Sequence, residues 1–280
     1  MKNNMIKKFV RKVYDLIAKI YIFVFGRKVM QKINSAIFLL TLKAKGYTNY
    51  GNHKYSGEHN FIKLIRQELE ICIDVGANVG SYTKEILETT DAKVIAIEPL
   101  EGAFKKLSKL KDEFKDRLEI LNHGAGDENE EKKIYFSNES SELASFYPNT
   151  NEFSFVDNKN TKYHVVKIKK IDDIPELNNL SKVDLIKIDT EGYEMNVLKG
   201  ALNLIKQKKI KFIQIEFNVH QIVARNNIYE FSKVLYDYEP SIILPHGYPL
   251  MKIDPLRPEN NIFHLSNFVF VEKDLSKKYL

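Results

Sequence analysis

From Ile71 to Gly80 the chain places Ile71, Cys72, Ile73 and Val75 around one acid, Asp74, and then runs through Gly76, Ala77, Asn78 and Gly80. An apolar run of this length without polar alternation reads as a strand covered on both faces. The small residues behind it mark a tight turn, and Ser81 to Thr89 then repeats apolar side chains at helical spacing. Strand, tight turn and helix form the unit from which parallel sheets are wound, so this stretch commits the chain to an α/β architecture.

The alternation continues beyond Tyr50. Strands are predicted at Glu70 to Val75, Lys93 to Glu98, Leu118 to His123, Val183 to Asp189, Lys211 to Phe217, Pro240 to Leu244 and Asn267 to Val271. Helices are predicted at Ser81 to Thr89, Ala103 to Phe114, Glu194 to Lys206 and Ile228 to Tyr238. Lys132 to Phe136 and Tyr163 to Lys169 add two strands around a polar stretch, Ser137 to Lys162, expected to cover the site as a lid or substrate loop.

The 280 residues, 44% of them hydrophobic, suffice for one full-sized core. Cys72 is the single cysteine and lies inside the first strand, which rules out a disulfide framework and a thiolate metal cluster and fits a reducing, cytoplasmic setting. The net charge of +6 is unevenly spread: Met1 to Gly46 holds eleven Lys/Arg and one acid, Asp15, while the remainder has 32 bases and 36 acids. With an acidic body, nucleic acid is not expected as a partner.

The basic segment has its own pattern. Ile6, Phe9, Val10, Val13, Leu16, Ile17, Ile20, Tyr21 and Val24 recur at helical spacing, with Lys7, Lys8, Arg11, Lys12, Asp15 and Lys19 on the other face. The unbroken apolar stretch Ile20 to Phe25 is far too short to span a bilayer, and no small-residue cleavage site follows it. Residues 1–46 are therefore expected to form an amphipathic helical segment ahead of a domain at 47–280. That segment either packs as a helical cap or a dimer contact, or attaches reversibly to an anionic membrane at its inner face.

Glu98 and Pro99 close the second predicted strand, where an acid is placed to hold two ribose hydroxyls. A nucleoside ligand is the expectation. A dinucleotide turn would carry G-x-G-x-x-G, but from Gly76 the second and third places are Asn78 and Ser81. Asp74 would also repel a pyrophosphate, whereas it suits the cationic amine of S-adenosylmethionine. The cofactor-binding candidates are Asp74, Gly76, Ala77, Asn78, Gly80, Tyr82, Glu98 and Pro99, with Ala125 and Asp127 in the small-residue turn His123 to Asp127 placed to flank an adenine.

The run Val183 to Glu194, ending Asp189-Thr190-Glu191-Gly192-Tyr193-Glu194, followed by Val197-Leu198-Lys199-Gly200-Ala201, resembles the signature of the FkbM family of S-adenosylmethionine-dependent methyltransferases. Ile73 to Gly80, Ile97-Glu98-Pro99 and Ile171-Asp172-Asp173-Ile174 are similar to other segments of that family. The resemblance covers roughly residues 60–273. It implies a class I methyltransferase, Rossmann-like sheet of about seven mostly parallel strands with helices on both faces and the last strand antiparallel. It further implies O-methylation of a hydroxyl, often in a glycan or natural product.

A hydroxyl acceptor must lose a proton, so it needs a base or a metal. Asp189 and Glu191 end one predicted strand, and Glu216 with His220 ends the next. His220 or Glu191 can take the proton directly; alternatively Asp189 with Glu191 or Glu216 holds a divalent cation. The metal-free route is preferred, and no metal ligand is assigned. Asp189 is counted with the cofactor contacts as well. Glu194 reads as a helix-capping acid, His246 and His264 lack ligand spacing, Pro245 to Pro249 form a turn able to line an acceptor pocket, and Phe146, Tyr147, Phe153 and Phe155 either stack on sugar faces or, the preferred reading, pack the lid. The expected acceptor is a hydroxyl of a surface polysaccharide or its lipid-linked precursor. The alternatives are a small soluble metabolite as acceptor, or a cofactor-binding module without chemistry.

Overall fold

The computed structural model describes residues 2–48, 53–138, 141–154, 159–178 and 180–280. They fall into two compact units, Met1–Lys45 and Gly46–Leu280.

The first unit is a helix, Lys2–Phe25, a short 3-10 turn at Lys28–Met30, and a second helix, Gln31–Ala44. Gly26 ends the first helix, and Asn34 fixes the bend by donating to the Phe25 carbonyl at 2.8 Å and accepting from the Tyr21 hydroxyl at 2.7 Å. No helix among the described residues is long and apolar enough to cross a membrane.

The second unit is built on strands β1 (Ile71–Val75), β2 (Lys93–Ile97), β3 (Leu118–Leu121), β4 (Gly124–Ala125), β5 (Glu130–Phe136), β6 (Lys162–Lys169), β7 (Val183–Ile188), β8 (Ile210–Phe217), β9 (Tyr238–Ile243), β10 (Leu250–Lys252) and β11 (Ser266–Glu272). Eight form one sheet in the order β10-β9-β11-β8-β7-β1-β2-β3. β3, β2, β1, β7 and β8 pair in parallel, and β11 runs antiparallel between β8 and β9. The sheet is thus α/β and mostly parallel as expected, with one more strand than expected, because the hairpin after Ile243 adds β10 at the edge.

The helices bury their apolar stripes against this sheet. Phe61, Ile62 and Ile65 from the helix Glu58–Ile65 and Ile86 from Ser81–Thr89 share one core with Cys72, Leu185, Phe212 and Val269. Each such side chain contributes about 1.5–3 kcal/mol on burial. Two expected helices are broken. Ala103 to Phe114 divides into Glu101–Ser108 and Leu110–Phe114, a break that nothing in the packing explains. Glu194 to Lys206 divides into Glu194–Lys199 and Leu202–Lys206 at Gly200, where a Cβ would stand 1.9 Å from the Gly126 carbonyl oxygen.

β4, β6 and β5 form a second, three-stranded sheet. β5 and β6 pair antiparallel from Glu130 with Ile168 to Phe136 with Lys162, so the polar stretch between them is the tip of a long hairpin. Phe136, Phe146, Ile134 and Ile168 pack there with Leu100 and Tyr193 in a smaller apolar cluster that anchors the hairpin beside the main sheet.

Candidate active site

β1 has β2 on one side and β7 on the other, so the strand order reverses there, and a crevice opens beyond the carboxyl ends of the strands. A cavity of about 1270 Å³ occupies that place, lined by the residues that follow β1, β2, β7 and β8 and by the hairpin segment Ser141 to Phe146. It is larger than a typical single-ligand pocket of roughly 300–1,000 Å³.

At the β1 end the backbone shapes the wall. Gly76 has φ +81° and approaches the next strand so closely that a Cβ would lie 1.8 Å from the Asp189 carbonyl oxygen. No side chain fits at that position. The amides of Gly76 and Ala77 both donate to the Ile97 carbonyl, at 3.0 and 3.1 Å, which closes the turn onto β2. Asn78 holds a left-handed φ of +48°, and its amide donates to Glu98 Oε2 at 2.9 Å, while the Leu100 amide donates to Glu98 Oε1 at 2.7 Å. Each oxygen keeps a second lone pair for a ligand hydroxyl. Burial pushes the Glu98 carboxyl up to about 7, against the pull of those two amides and with Asp74 and Asp189 raising it further. Asp74 is fully buried, and its Oδ2 accepts from the Thr83 hydroxyl at 2.6 Å.

At the β7 and β8 end side chains do the shaping. Strand pairing sets Lys187 beside Asp74, and its ammonium bonds Asp189 Oδ2 at 2.7 Å and lies 4.9 Å above the Tyr82 ring. Burial works against the charge of this lysine, but Asp189, Asp74, Glu58 and Glu216 together outweigh it and hold the ammonium well above its usual range. Beside it Asp189, Glu191 and Glu216 each offer an oxygen within 4.8 Å of the others. Burial, then the charges of Asp189 and Glu191, drive the Glu216 carboxyl well above its usual range, with Lys187 opposing. Glu191 Oε2 bonds His220 Nδ1 and accepts from Asn218 Nδ2 at 2.7 Å, and the Asn218 side-chain oxygen accepts from the His220 amide at 2.9 Å. Burial works against a charged His220, but its bond to Glu191, with the charges of Glu191, Glu194 and Asp189, outweighs it and raises the imidazole above its usual value.

The turn that presents these groups is stapled from inside. Glu194 Oε1 accepts from the amides of Thr190 and Gly192 at 2.9 and 3.1 Å, and Gln221 bonds its other oxygen. Glu194 is therefore a buried brace of the turn ahead of its helix rather than the helix-capping acid expected. It supports Glu191, which keeps a left-handed φ of +52°. Ser145, in the hairpin tip, donates its hydroxyl to the Glu191 carbonyl at 2.7 Å and so ties the covering segment to the acids below.

Of the residues picked from the sequence, Asp74, Gly76, Ala77, Asn78, Tyr82, Glu98, Pro99, Ala125, Asp189, Glu191, Glu216 and His220 all line this cavity. Two do not. Gly80, at φ +89°, begins the following helix and packs under Leu107 and Leu110, and Asp127 Oδ1 accepts from Asn196 at 2.9 Å away from the cavity. The Tyr82 hydroxyl is committed to Gln214 at 2.5 Å, so the ring serves as wall. Residues 245–249 are the β9–β10 turn, closed by the Leu244 amide on the Pro249 carbonyl, and none reaches the cavity. Phe146 lines the cavity and packs on Tyr193; Tyr147 and Phe153 do not line it, though Phe153 lies 5.8 Å from the His220 ring, and Phe155 lies outside the described residues. Lys187, Asn218, Ser145 and the segment Phe263 to Leu265 before β11 were not anticipated as site residues. Lys187 carried a signal, being a basic residue in a wholly buried strand, one step from the end that opens into the crevice.

A family profile described as the methyltransferase FkbM domain matches residues 74–236, more than half of the chain, and spans both ends of the cavity. The chain belongs to the FkbM methyltransferase family. Among curated relatives, the hexuronic acid methyltransferase AglP of Haloferax volcanii is 26% identical over 167 residues, which cover 58% of this chain and 64% of AglP. The AMB antimetabolite synthetase AmbE of Pseudomonas aeruginosa is 25% identical over 179 residues, 54% of this chain and 8% of AmbE. The chain thus spans less than two thirds of either relative. Among solved structures, a Streptococcus mutans protein in complex with SAH covers 80% of this FkbM chain at 10% identity and TM-score 0.43, with 99% of its own chain covered. A precorrin-6y C5,15-methyltransferase from Geobacter metallireducens covers 76% at 9% identity and TM-score 0.40, with 87% of its own chain covered. At those scores the likenesses carry no weight for the chemistry.

Proposed function

We propose that this methyltransferase moves the methyl group of S-adenosylmethionine to an uncharged hydroxyl of a glycan, in a surface polysaccharide or its lipid-linked precursor. The observation that carries the reading is the hydrogen-bonded Glu191–His220 pair on the same cavity as the Asp74–Asn78 turn and Glu98.

The residues present suit the cofactor. Carboxylates outnumber lysines among the lining residues, and Lys187 is already bonded to Asp189, so the cavity favours a cation over a pyrophosphate. Asn78 Oδ1 is buried without a hydrogen-bond partner among the described residues, an acceptor left for a donor. Glu98 would hold the ribose hydroxyls, Pro99 and Ala125 the adenine side, and Asp74 with Asn78 the amine. When bound, the cofactor supplies a methyl carbon on a positively charged sulfur.

The chain's own task is alignment and proton removal. With donor and acceptor held in line, His220 Nε2 would take the proton of the acceptor hydroxyl. Glu191 fixes the ring through Nδ1 and stabilises the imidazolium, and Asn218 fixes Glu191. Lys187 balances Asp189 where a divalent ion would otherwise be required, which supports the metal-free route. The crowded carboxylates disfavour a charged group at the reacting atom; AglP, a methyltransferase of hexuronic acid and so of an acidic sugar, supports a sugar as the class of acceptor but not its lack of charge.

The test is mass-spectrometric detection of a 14-Da gain on neutral oligosaccharides, released from lipid carriers, after incubation with S-adenosylmethionine. Methylation at a hydroxyl supports the reading; transfer only to a sugar carboxylate, or to small metabolites alone, refutes it.

A further inference from the structure

Most of the large apolar side chains exposed among the described residues lie in Met1–Lys45. In the helix Lys2–Phe25, projecting the residues at 100° per step puts Met5, Phe9, Leu16, Ile20, Val13 and Ile17 on one half of the circumference, and all six are exposed. Lys7 and Arg11 border that half on one side, Lys8, Lys12 and Lys19 on the other, and Tyr14 and Tyr21 stand near the Lys7 edge. The helix is about 36 Å long. The following helix, Gln31–Ala44, leaves Ile33, Ile37, Phe38 and Leu40 exposed as well.

We propose that Met1–Lys45 is a peripheral docking surface for an anionic lipid bilayer, with the helix Lys2–Phe25 lying in the headgroup layer, apolar half inward. Charge complementarity selects this occupant. Eleven Lys/Arg against one acid in the first 46 residues match a negatively charged surface, whereas a second copy would bring a second set of the same charges alongside. Geometry agrees: an apolar half-cylinder is wider than the seam that two paired helices bury, and it suits a planar apolar boundary. Lysines on both borders can keep their heads among the headgroups while their stems follow the apolar face, and tyrosines at the edge match the same boundary. The helix is not long and apolar enough to cross, so attachment is reversible. The inference is independent of the acceptor.

The test is co-sedimentation of the full-length protein with vesicles of phosphatidylcholine alone or with about one third phosphatidylglycerol, at low salt and at about 0.5 M salt. Binding at least tenfold tighter to the anionic vesicles, weakened by salt, is expected. F9E/I17E should lose binding to both kinds of vesicle, and K7E/K8E/R11E/K12E should lose the preference for phosphatidylglycerol; an unchanged melting temperature shows each variant folded. Wild-type protein that stays in the supernatant, or sediments equally with both vesicles, overturns the proposal. So does a dimer in equilibrium sedimentation that F9E/I17E dissolves while vesicle binding is unaffected, because the apolar face would then belong to a second copy.

Discussion

The two ends of the cavity are built by different means. At the Asp74–Gly80 end the backbone makes the shape: a glycine that tolerates no Cβ, paired amides on one carbonyl, and a carboxylate held by two main-chain N–H groups. At the Asp189–His220 end side chains make it, in a set of acids whose charges are met by one lysine and one imidazole while their mutual repulsion pushes Glu216 toward its neutral form. A backbone-built end tolerates change around it and serves binding. A side-chain-built end depends on each partner, and losing one leaves buried charge unmatched. Binding and proton transfer should therefore be separable by mutation.

The largest effect expected is at the side-chain end. His220→Ala should lower turnover about 10²–10⁴-fold, and Glu191→Gln should follow it. Steady-state rates at saturating cofactor check this, and wild-type turnover in both variants would break the comparison. Next comes the backbone end: Glu98→Ala should weaken cofactor binding about 10–100-fold by losing hydrogen bonds to a charged group, with little change in turnover at saturation. A drop in turnover as large as that of His220→Ala would erase the difference between the ends.

The pH responses should differ as well. With its carboxyl pushed up to about 7 by burial, Glu98 must shed a proton to accept two hydroxyl donors fully. Cofactor affinity should therefore rise with pH through about 7 and level off, with proton release visible by calorimetry in buffers of different ionisation enthalpy. His220, raised by Glu191, is a base only when neutral, so turnover should rise with pH through a value above that of an ordinary histidine. Glu191→Gln removes the raising charge and should move that inflection down. The smallest effect expected is from chelation: EDTA should leave the rate unchanged, since Lys187 already balances Asp189.

Much of this was legible in the sequence because it lies at strand ends. Strand β1 and the acids Asp74, Glu98, Asp189 and Glu216 follow from apolar runs that stop at a charge, and the parallel sheet brings such stops to one edge. What was not legible depends on tertiary register. Lys187 meets Asp74 only because β1 and β7 pair as they do, and Ser145 reaches the Glu191 carbonyl only because the β5–β6 hairpin folds back over the site. Asp127 and Gly80 stand at the motif positions the sequence pointed to but off the cavity, Asp127 bonded to Asn196 and Gly80 packed under Leu107 and Leu110. The extra edge strand β10 is three residues long, too short for periodicity to show.

The most direct measurement is calorimetric titration of S-adenosylhomocysteine into the wild-type protein, Glu98→Ala and Glu191→Gln, read beside their methyl-transfer rates. Wild type should bind saturably, Glu98→Ala should bind more weakly with transfer restored at high cofactor, and Glu191→Gln should bind like wild type with transfer lost. No binding by the wild-type protein, or equal loss of binding in both variants, would contradict this pattern.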